Sequence, residues 1–168
     1  MKIGILGGSF DPAHKGHLAM SKEARKRFKL EKIIWAITKK NPLKAVSKTP
    51  VSKRIKDCKK LIGSNTFIKV KFYEDTINSN KTIDLINYLK KNKKLEIFFL
   101  MGADNLISFH KWHKSKLITE KCNIIVFDRH GYKKNSLKSK TFKKLNNKSL
   151  TFVKFKKVNI SSSQLRKI

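Results

Sequence analysis

Short apolar runs alternate with amphipathic stretches along this 168-residue chain, and this alternation limits the folds that it can adopt. Runs of five to seven mainly apolar residues predict strands, at residues 2–6, 32–37, 67–72, 95–101, 123–127 and 150–155. Helical spacing of apolar residues predicts helices between them, at residues 15–29, 51–62, 82–91 and, in broken form, up to Trp112. Alternating strands and helices pack as a parallel sheet with right-handed crossovers. The sequence therefore predicts a single doubly wound α/β domain.

Two histidines follow the first predicted strand, in the segment GGSFDPAHKGH at residues 7–17. In an open parallel sheet, ligands bind outside the carboxyl ends of the strands, and the first strand-to-helix turn is a favoured place. The helix that begins near Lys15 would direct its free N–H groups and the positive end of its dipole towards such a ligand. His14 and His17 are three residues apart and share one face of that helix. The segment therefore predicts a phosphate-binding turn in which imidazoles donate hydrogen bonds.

Other interpretations of this segment fit the residues less well. The glycines at 4, 7, 8 and 16 do not form a GxGxxG dinucleotide fingerprint, and no GK[ST] follows them as in a Walker A loop. A two-histidine metal site would have only Asp11 nearby as a carboxylate ligand. Two histidines in the core would not need so many glycines around them. Phosphate binding is the favoured interpretation.

The chain is strongly basic, with 41 Lys and Arg residues against 11 Asp and Glu and a net charge of +30. Only five of these cations are Arg, the residue preferred for bidentate phosphate contacts and for recognition of base edges. The composition therefore favours a solvated, lysine-covered surface and predicts no specific nucleic-acid partner. A basic module that binds nucleic acid without sequence specificity remains the alternative, with clusters at residues 39–48, 53–60 and 133–148.

The remaining composition points to a cytoplasmic protein with no membrane partner. The longest apolar run covers residues 97–101, far short of the roughly 20 residues that a bilayer span needs. The N-terminus lacks the apolar core of a signal peptide. Cys58 and Cys122 are far apart in the sequence and form no CxxC pair, so we expect two reduced thiols.

Two segments at opposite ends of the chain resemble one superfamily. GGSFDPAHKGH resembles the signature of the HxGH nucleotidyltransferases, and ISSSQLR at residues 160–166 resembles their ISSTxxR element. Within that superfamily, MGADNL at residues 101–106 and FHKW at 109–112 resemble the GADN…FHxW stretch of the nicotinate-nucleotide adenylyltransferase family. Further similarity lies at residues 41–44, 82–85 and 129–132. The resemblance implies a Rossmann-like fold and one nucleotidyltransferase domain over residues 1–168.

The resemblance also implies an activity. Members of the family transfer AMP from ATP to nicotinate mononucleotide, which yields nicotinate adenine dinucleotide and pyrophosphate in NAD biosynthesis. Mg²⁺ would accompany the substrate phosphates, with no metal ligands from the protein. The main alternative is another small-molecule nucleotidyltransferase, such as the pantetheine-phosphate adenylyltransferase family, which carries Thr at the position of His14.

The same resemblance assigns roles to individual residues. The catalytic residues would be His14, His17 and Arg166. ATP would contact Gly8, Ser9, Phe10, Gly16, Gly102, Asp104, Ser161, Ser162 and Ser163. Nicotinate mononucleotide would contact Lys44, Thr82, Asn105, Trp112 and His113.

Overall fold

A single parallel sheet organises the chain in the computed structural model, which describes residues 1–39, 48–128 and 149–154. Its strands are β1 (Lys2–Gly8), β2 (Lys32–Ile37), β3 (Ile68–Lys71), β4 (Glu96–Gly102), β5 (Asn123–Asp128) and β6 (Leu150–Lys154). They lie in the order β3-β2-β1-β4-β5-β6, and every neighbouring pair is parallel. The predicted fold class, a doubly wound α/β domain with a parallel sheet, is therefore confirmed.

The helices that connect these strands mostly follow the predicted positions. They are α1 (Lys15–Phe28), α2 (Val51–Ile62), α3 (Glu74–Ile77), α4 (Thr82–Leu89), α5 (Ala103–Ser108) and α6 (Ser115–Lys121), with a 3₁₀ turn at Phe109–Lys111. The sequence pattern does not predict α3 and α6, because α3 buries no residue and α6 buries only Ile118, so neither shows a clear apolar period. The sequence also predicts a loop at residues 39–50, a surface helix or partly mobile excursion at 133–148 and a short helix at 161–167. Most of that loop and both of the other segments lie outside the described residues. No helix in the described ranges is long and apolar enough to cross a membrane.

Both faces of the sheet are covered, which explains why the central strands are apolar throughout rather than alternating. On one face, α1 and α2 contribute Met20, Ala24 and Cys58 to a core with the strand residue Trp35. On the other face, the core holds residues of α4, α5 and α6, namely Ile83, Ile86, Leu106 and Ile118. Burial on two sides makes β1, β2, β4 and β5 a rigid base for the loops at their ends.

Gly4 shows how closely the first face is packed against β1. A Cβ at this position would lie 2.6 Å from Ile33 Cδ1 and 3.1 Å from Leu30 Cδ1. Both distances are shorter than ordinary van der Waals contacts. The missing side chain therefore lets these two residues close over the middle of the strand.

The connections that follow β1 and β4 run in opposite directions along the sheet, because β1 leads to β2 on one side and β4 leads to β5 on the other. Such a reversal of strand order opens a crevice at the carboxyl ends of the two diverging strands. Those ends are Gly8 in β1 and Gly102 in β4. The topology therefore predicts the position of a binding cleft before any side chain is considered.

The two cysteines are buried, one on each side of the sheet. Burial raises the pKa of the Cys58 thiol to about 12, with the Asp57 carboxylate adding to the shift and Arg54 opposing it. Burial likewise raises the pKa of Cys122 to about 12, against a smaller opposite effect of Lys90. Both thiols are therefore poor nucleophiles in the folded chain.

We expect both thiols to react with Ellman's reagent at about pH 8 at least ~100-fold more slowly in the native than in the denatured chain. Because folding raises both pKa values from 9.0 to about 12, their contribution to stability is complete below pH 9 and is lost as the pH rises towards 12. Denaturation curves of the wild type and of Cys58→Ala/Cys122→Ala over this range check the second point. A wild type that loses no more stability than the double variant would contradict it.

Candidate active site

The turn between β1 and α1 is closed by its own two histidines. His14 is the N-cap of α1, and its Nδ1 accepts a hydrogen bond of 3.0 Å from the Gly16 N–H. The Nδ1 of His17 accepts a bond of 3.1 Å from the His14 N–H, so the pair forms a capping box. The two rings stack with centroids 3.9 Å apart. Since a nitrogen that accepts carries no proton, each neutral ring bears its hydrogen on Nε2.

On its core side, the His17 ring packs against Phe10, which in turn stacks on Trp35. Phe10 is 2% exposed, and its ring centroid lies 4.6 Å from that of His17 and 5.1 Å from that of Trp35. The Trp35 Nε1–H donates to Ser21 Oγ at 2.9 Å, and the Ser21 hydroxyl donates to the His17 carbonyl at 2.8 Å. The ring and the backbone of His17 are thus held by separate contacts, as a preorganised donor requires.

A cleft of about 600 Å³ opens at the carboxyl ends of β1, β2 and β4. It lies where the reversal of strand order predicts one. The residues that line it include most of those singled out in the sequence: Gly8, Ser9, Phe10, His14, His17, Thr82, Gly102, Asp104, Asn105, Trp112 and His113. The fold therefore brings together, around one cavity, residues that are up to 105 positions apart (8 to 113).

The other candidate residues are placed differently. Gly16 is buried at the start of α1 and does not line the cleft, and its N–H supports the His14 ring instead. Its contact with ATP stays a prediction. Lys44, Ser161, Ser162, Ser163 and Arg166 lie outside the described residues.

Trp112 belongs both to the core and to the cleft. Its ring packs edge-on against those of Phe99 and Phe109, with centroids 5.8 Å and 5.0 Å apart. The residue also lines the cavity. The contacts with the two phenylalanines fix the orientation of the indole. The residue can therefore present a rigid aromatic surface to a ring bound in the cleft.

The start of α4 forms another part of the wall. The helix begins at Thr82, as predicted. Before it, the Ser79 hydroxyl donates to Asp84 Oδ2 at 2.6 Å and accepts from the Lys81 N–H at 3.0 Å. These two bonds hold the turn that delivers Thr82 to the cleft.

Several residues that line the cleft were missed in the sequence, among them Thr38, Tyr73, Glu74, Lys81 and Lys111. Glu74 joins two elements, since its carboxylate accepts from the Thr38 hydroxyl at 2.5 Å and from the Lys39 N–H at 2.9 Å. The acidic pair at residues 74–75 is typical of a helix start and was the available signal. The contact with the end of β2 depends on tertiary structure and leaves no trace in the sequence.

Nitrogen chemical shifts of the imidazole rings provide a test of the cap. In the absence of ligand, the neutral rings of His14 and His17 should both carry their proton on Nε2, because both Nδ1 atoms accept from the backbone. Long-range proton–nitrogen correlation spectra distinguish the two tautomers, and His14→Ala and His17→Ala assign the signals. A proton on Nδ1 of either ring would contradict the capping box.

Comparison with known proteins agrees with this geometry. The cytidylyltransferase-like family model matches residues 5–168. A "probable nicotinate-nucleotide adenylyltransferase" of Pelagibacter ubique is 68% identical over 167 residues, which cover 99% of this chain and 93% of the relative. A protein of the same name from Agrobacterium fabrum is 38% identical over 133 residues, or 78% of this chain and 71% of the relative.

Solved structures share the fold. Nicotinic acid mononucleotide adenylyltransferase of Plasmodium falciparum, in a complex with APC, superposes with a TM-score of 0.79 at 21% identity, over 99% of this chain and 82% of that one. The same protein in a complex with NaAD gives a TM-score of 0.77. Together with the family model and the curated relatives, the motifs place the chain in the cytidylyltransferase-like family, among its nicotinate-nucleotide adenylyltransferases.

Proposed function

We propose that this chain transfers the adenylyl group of ATP to nicotinate mononucleotide. A 5′-phosphate oxygen of the mononucleotide attacks the α-phosphorus, and the bond from that phosphorus to the oxygen bridging the β-phosphate breaks. The products are nicotinate adenine dinucleotide and pyrophosphate, and no covalent intermediate with the protein forms. The observation that carries the proposal is the pair of capped histidines in the cleft, in a chain that belongs to this family.

The histidines are suited to the charge that develops in this reaction. With Nδ1 used by the cap, each neutral ring has Nε2–H as its donor, which can face the oxygens of the α-phosphate. Phosphoryl transfer depends mainly on positioning and on such charge stabilisation. His17 acts on the α-phosphate and His14 acts beside it on the phosphate chain. The backbone of Gly8, Ser9 and Phe10 forms the adjacent wall.

The remaining contacts with ATP follow from the family resemblance. Asp104, exposed in the first turn of α5, accepts a hydrogen bond from the ribose, and Gly102 lets the nucleotide lie close to β4. Arg166 would hold the β- and γ-phosphates, together with the three hydroxyls of Ser161, Ser162 and Ser163.

Nicotinate mononucleotide occupies the other half of the cleft in this proposal. The indole of Trp112 stacks on the pyridine ring, and backbone N–H groups near Thr82 and His113 receive the ring carboxylate. Asn105 lines the same region, and Lys44 would meet the phosphate. A site built from donors distinguishes a carboxylate from an amide, whose NH₂ would face those donors and leave them unpaired.

Magnesium enters as part of the substrate, Mg–ATP. Within the described ranges, no group of three or more His, Cys, Asp and Glu residues is arranged to hold a metal ion. The family resemblance puts the ion on the phosphates, where it would neutralise charge on the leaving pyrophosphate.

A pyrophosphate-release assay with ATP tests both the activity and the acceptor. Nicotinate mononucleotide should give at least about a tenfold higher kcat/KM than nicotinamide mononucleotide at ~0.15 M salt, since the amide places a donor against donors. The third acceptor is 4′-phosphopantetheine, which should be inactive. Equal values for the two mononucleotides would refute the carboxylate site, and turnover with 4′-phosphopantetheine alone would refute the assigned activity.

Two variants, His17→Asn and His17→Gln, distinguish the capping role of His17 Nδ1 from the donor role of its Nε2–H. In His17→Asn the side-chain oxygen can still accept from the His14 N–H, but nothing replaces Nε2–H, so kcat should fall by about 10²-fold or more. In His17→Gln the amide nitrogen can approach the position of Nε2, so part of the activity should return. Steady-state kinetics and melting temperatures check both variants. Near-normal turnover of a folded His17→Asn would show that another group carries the role.

A further inference from the structure

A buried cation lies behind the loop that follows β1. Arg54, on α2, is 2% exposed, and it is the one Lys, Arg, Asp or Glu classed as buried in the described ranges. Neither of the two ion pairs found in those ranges includes it. A buried guanidinium is expensive to desolvate unless its N–H groups are satisfied, so its partners indicate what it does.

Those partners are main-chain carbonyl oxygens. The Nε–H donates to Thr49 at 3.0 Å, Nη1 donates to Ser9 at 2.9 Å and to Thr38 at 2.7 Å, and Nη2 donates to Lys39 at 3.2 Å. One planar group therefore satisfies four carbonyls with charge-assisted hydrogen bonds. Lysine cannot reproduce this arrangement, because its ammonium group is a single point with three donors.

The four carbonyls come from segments that are distant in the sequence. Ser9 lies in the turn after β1 and Thr38 directly follows β2, and both line the cleft. Lys39 and Thr49 lie in the connection from β2 to α2. The Thr38 N–H also donates to the Gly8 carbonyl at 2.9 Å, so the guanidinium reinforces a direct link between the two strand ends.

The bond to Ser9 acts on the support of His17. The Ser9 carbonyl belongs to the peptide that enters Phe10, a residue with the uncommon positive φ of 50°. Phe10 in turn packs its ring against that of His17. Fixing this carbonyl therefore restricts rotation of the peptide plane that determines where the Phe10 ring lies.

The bonds to Thr38 and Lys39 act on the neighbouring strand end, after β2. The Thr38 hydroxyl and the Lys39 N–H both bind the Glu74 carboxylate at the start of α3. The same guanidinium thus holds the backbone of two neighbouring parts of the cleft lining: the turn that supports the histidines, and the end of β2 that binds Glu74.

We propose that Arg54 is a positioning residue for adenylyl transfer, which fixes the turn after β1 and the end of β2 relative to each other through its bonds to the Ser9 and Thr38 carbonyls. This inference rests on the function proposed above. Arg54 does not line the cleft, so it is placed to act through the main chain that does. Its effect should therefore fall on the chemical step, where misplacement of a group by about 1 Å lowers a rate by up to about 10²-fold.

Arg54→Lys, with Arg27→Lys as a matched control, provides the test. Arg27 is on α1, bonded to Glu23 with half of its side chain exposed, so the same substitution there removes an arginine that is remote from the loop. We expect Arg54→Lys to remain folded by circular dichroism and to lower kcat for nicotinate mononucleotide by about tenfold or more. In the same variant, we expect KM for ATP to change by less than about threefold. We expect Arg27→Lys to keep the kcat and KM of the wild type. A folded Arg54→Lys with wild-type kcat would overturn the proposal, as would a loss confined to KM.

Two spectroscopic measurements keep the inference separate from the activity and from folding of the variant. In the ligand-free protein, Arg54→Lys should shift the His17 ring signals and Arg27→Lys should not; unchanged His17 signals would overturn the inference even in an active enzyme. In the wild type, the Nε–H signal of Arg54 should shift when a non-hydrolysable ATP analogue binds, while that of Arg27 stays. If the Arg54 signal does not shift, Arg54 does not sense the occupied cleft, and the inference would be overturned. A wild type with no transferase activity, but with both spectroscopic effects, would instead refute the proposed function.

Discussion

Burial of the parallel sheet on both faces is the constraint on which the rest of this molecule depends. Helices α1 and α2 cover one face, and α4, α5 and α6 contribute to the core on the other. No surface of β1 or β4 is then left to bind a ligand, so binding is restricted to the edge where the strands end. The reversal of strand order at β1 separates the connections on either side and creates the cleft there.

The chemistry of the cleft arises from a secondary-structure requirement. A helix start leaves N–H groups unpaired, and in α1 two imidazoles satisfy them where Ser, Thr or Asp would ordinarily do so. The same bonds orient the rings and set the position of their protons. The cap of α1 therefore also fixes two imidazoles at the cleft.

Support for these donors comes from deeper layers of the structure. Phe10, Trp35 and Ser21 contact His17 from the core, and Arg54 binds the carbonyl of the residue before Phe10. At the neighbouring strand end, the bond between Thr38 and Glu74 joins the end of β2 to α3. A reaction that depends on positioning needs side chains held in a fixed geometry, and residues behind those side chains supply that rigidity.

The sequence by itself determined the strands and the main helices, because apolar runs and helical periods report burial directly. It also determined the histidine turn, since the cap, the glycines and the two imidazoles are all local to residues 7–17. The sequence did not predict the short helices α3 and α6, because they bury too few residues to show a helical period of apolar positions. Only the tertiary structure decided that Glu74 meets Thr38, that Gly16 supports His14 rather than lining the cleft, and that Arg54 binds the carbonyl of Ser9, 45 residues away. Main-chain carbonyls are chemically the same at every residue, so a contact with one leaves no pattern in the sequence and appears only when folding brings the partners together.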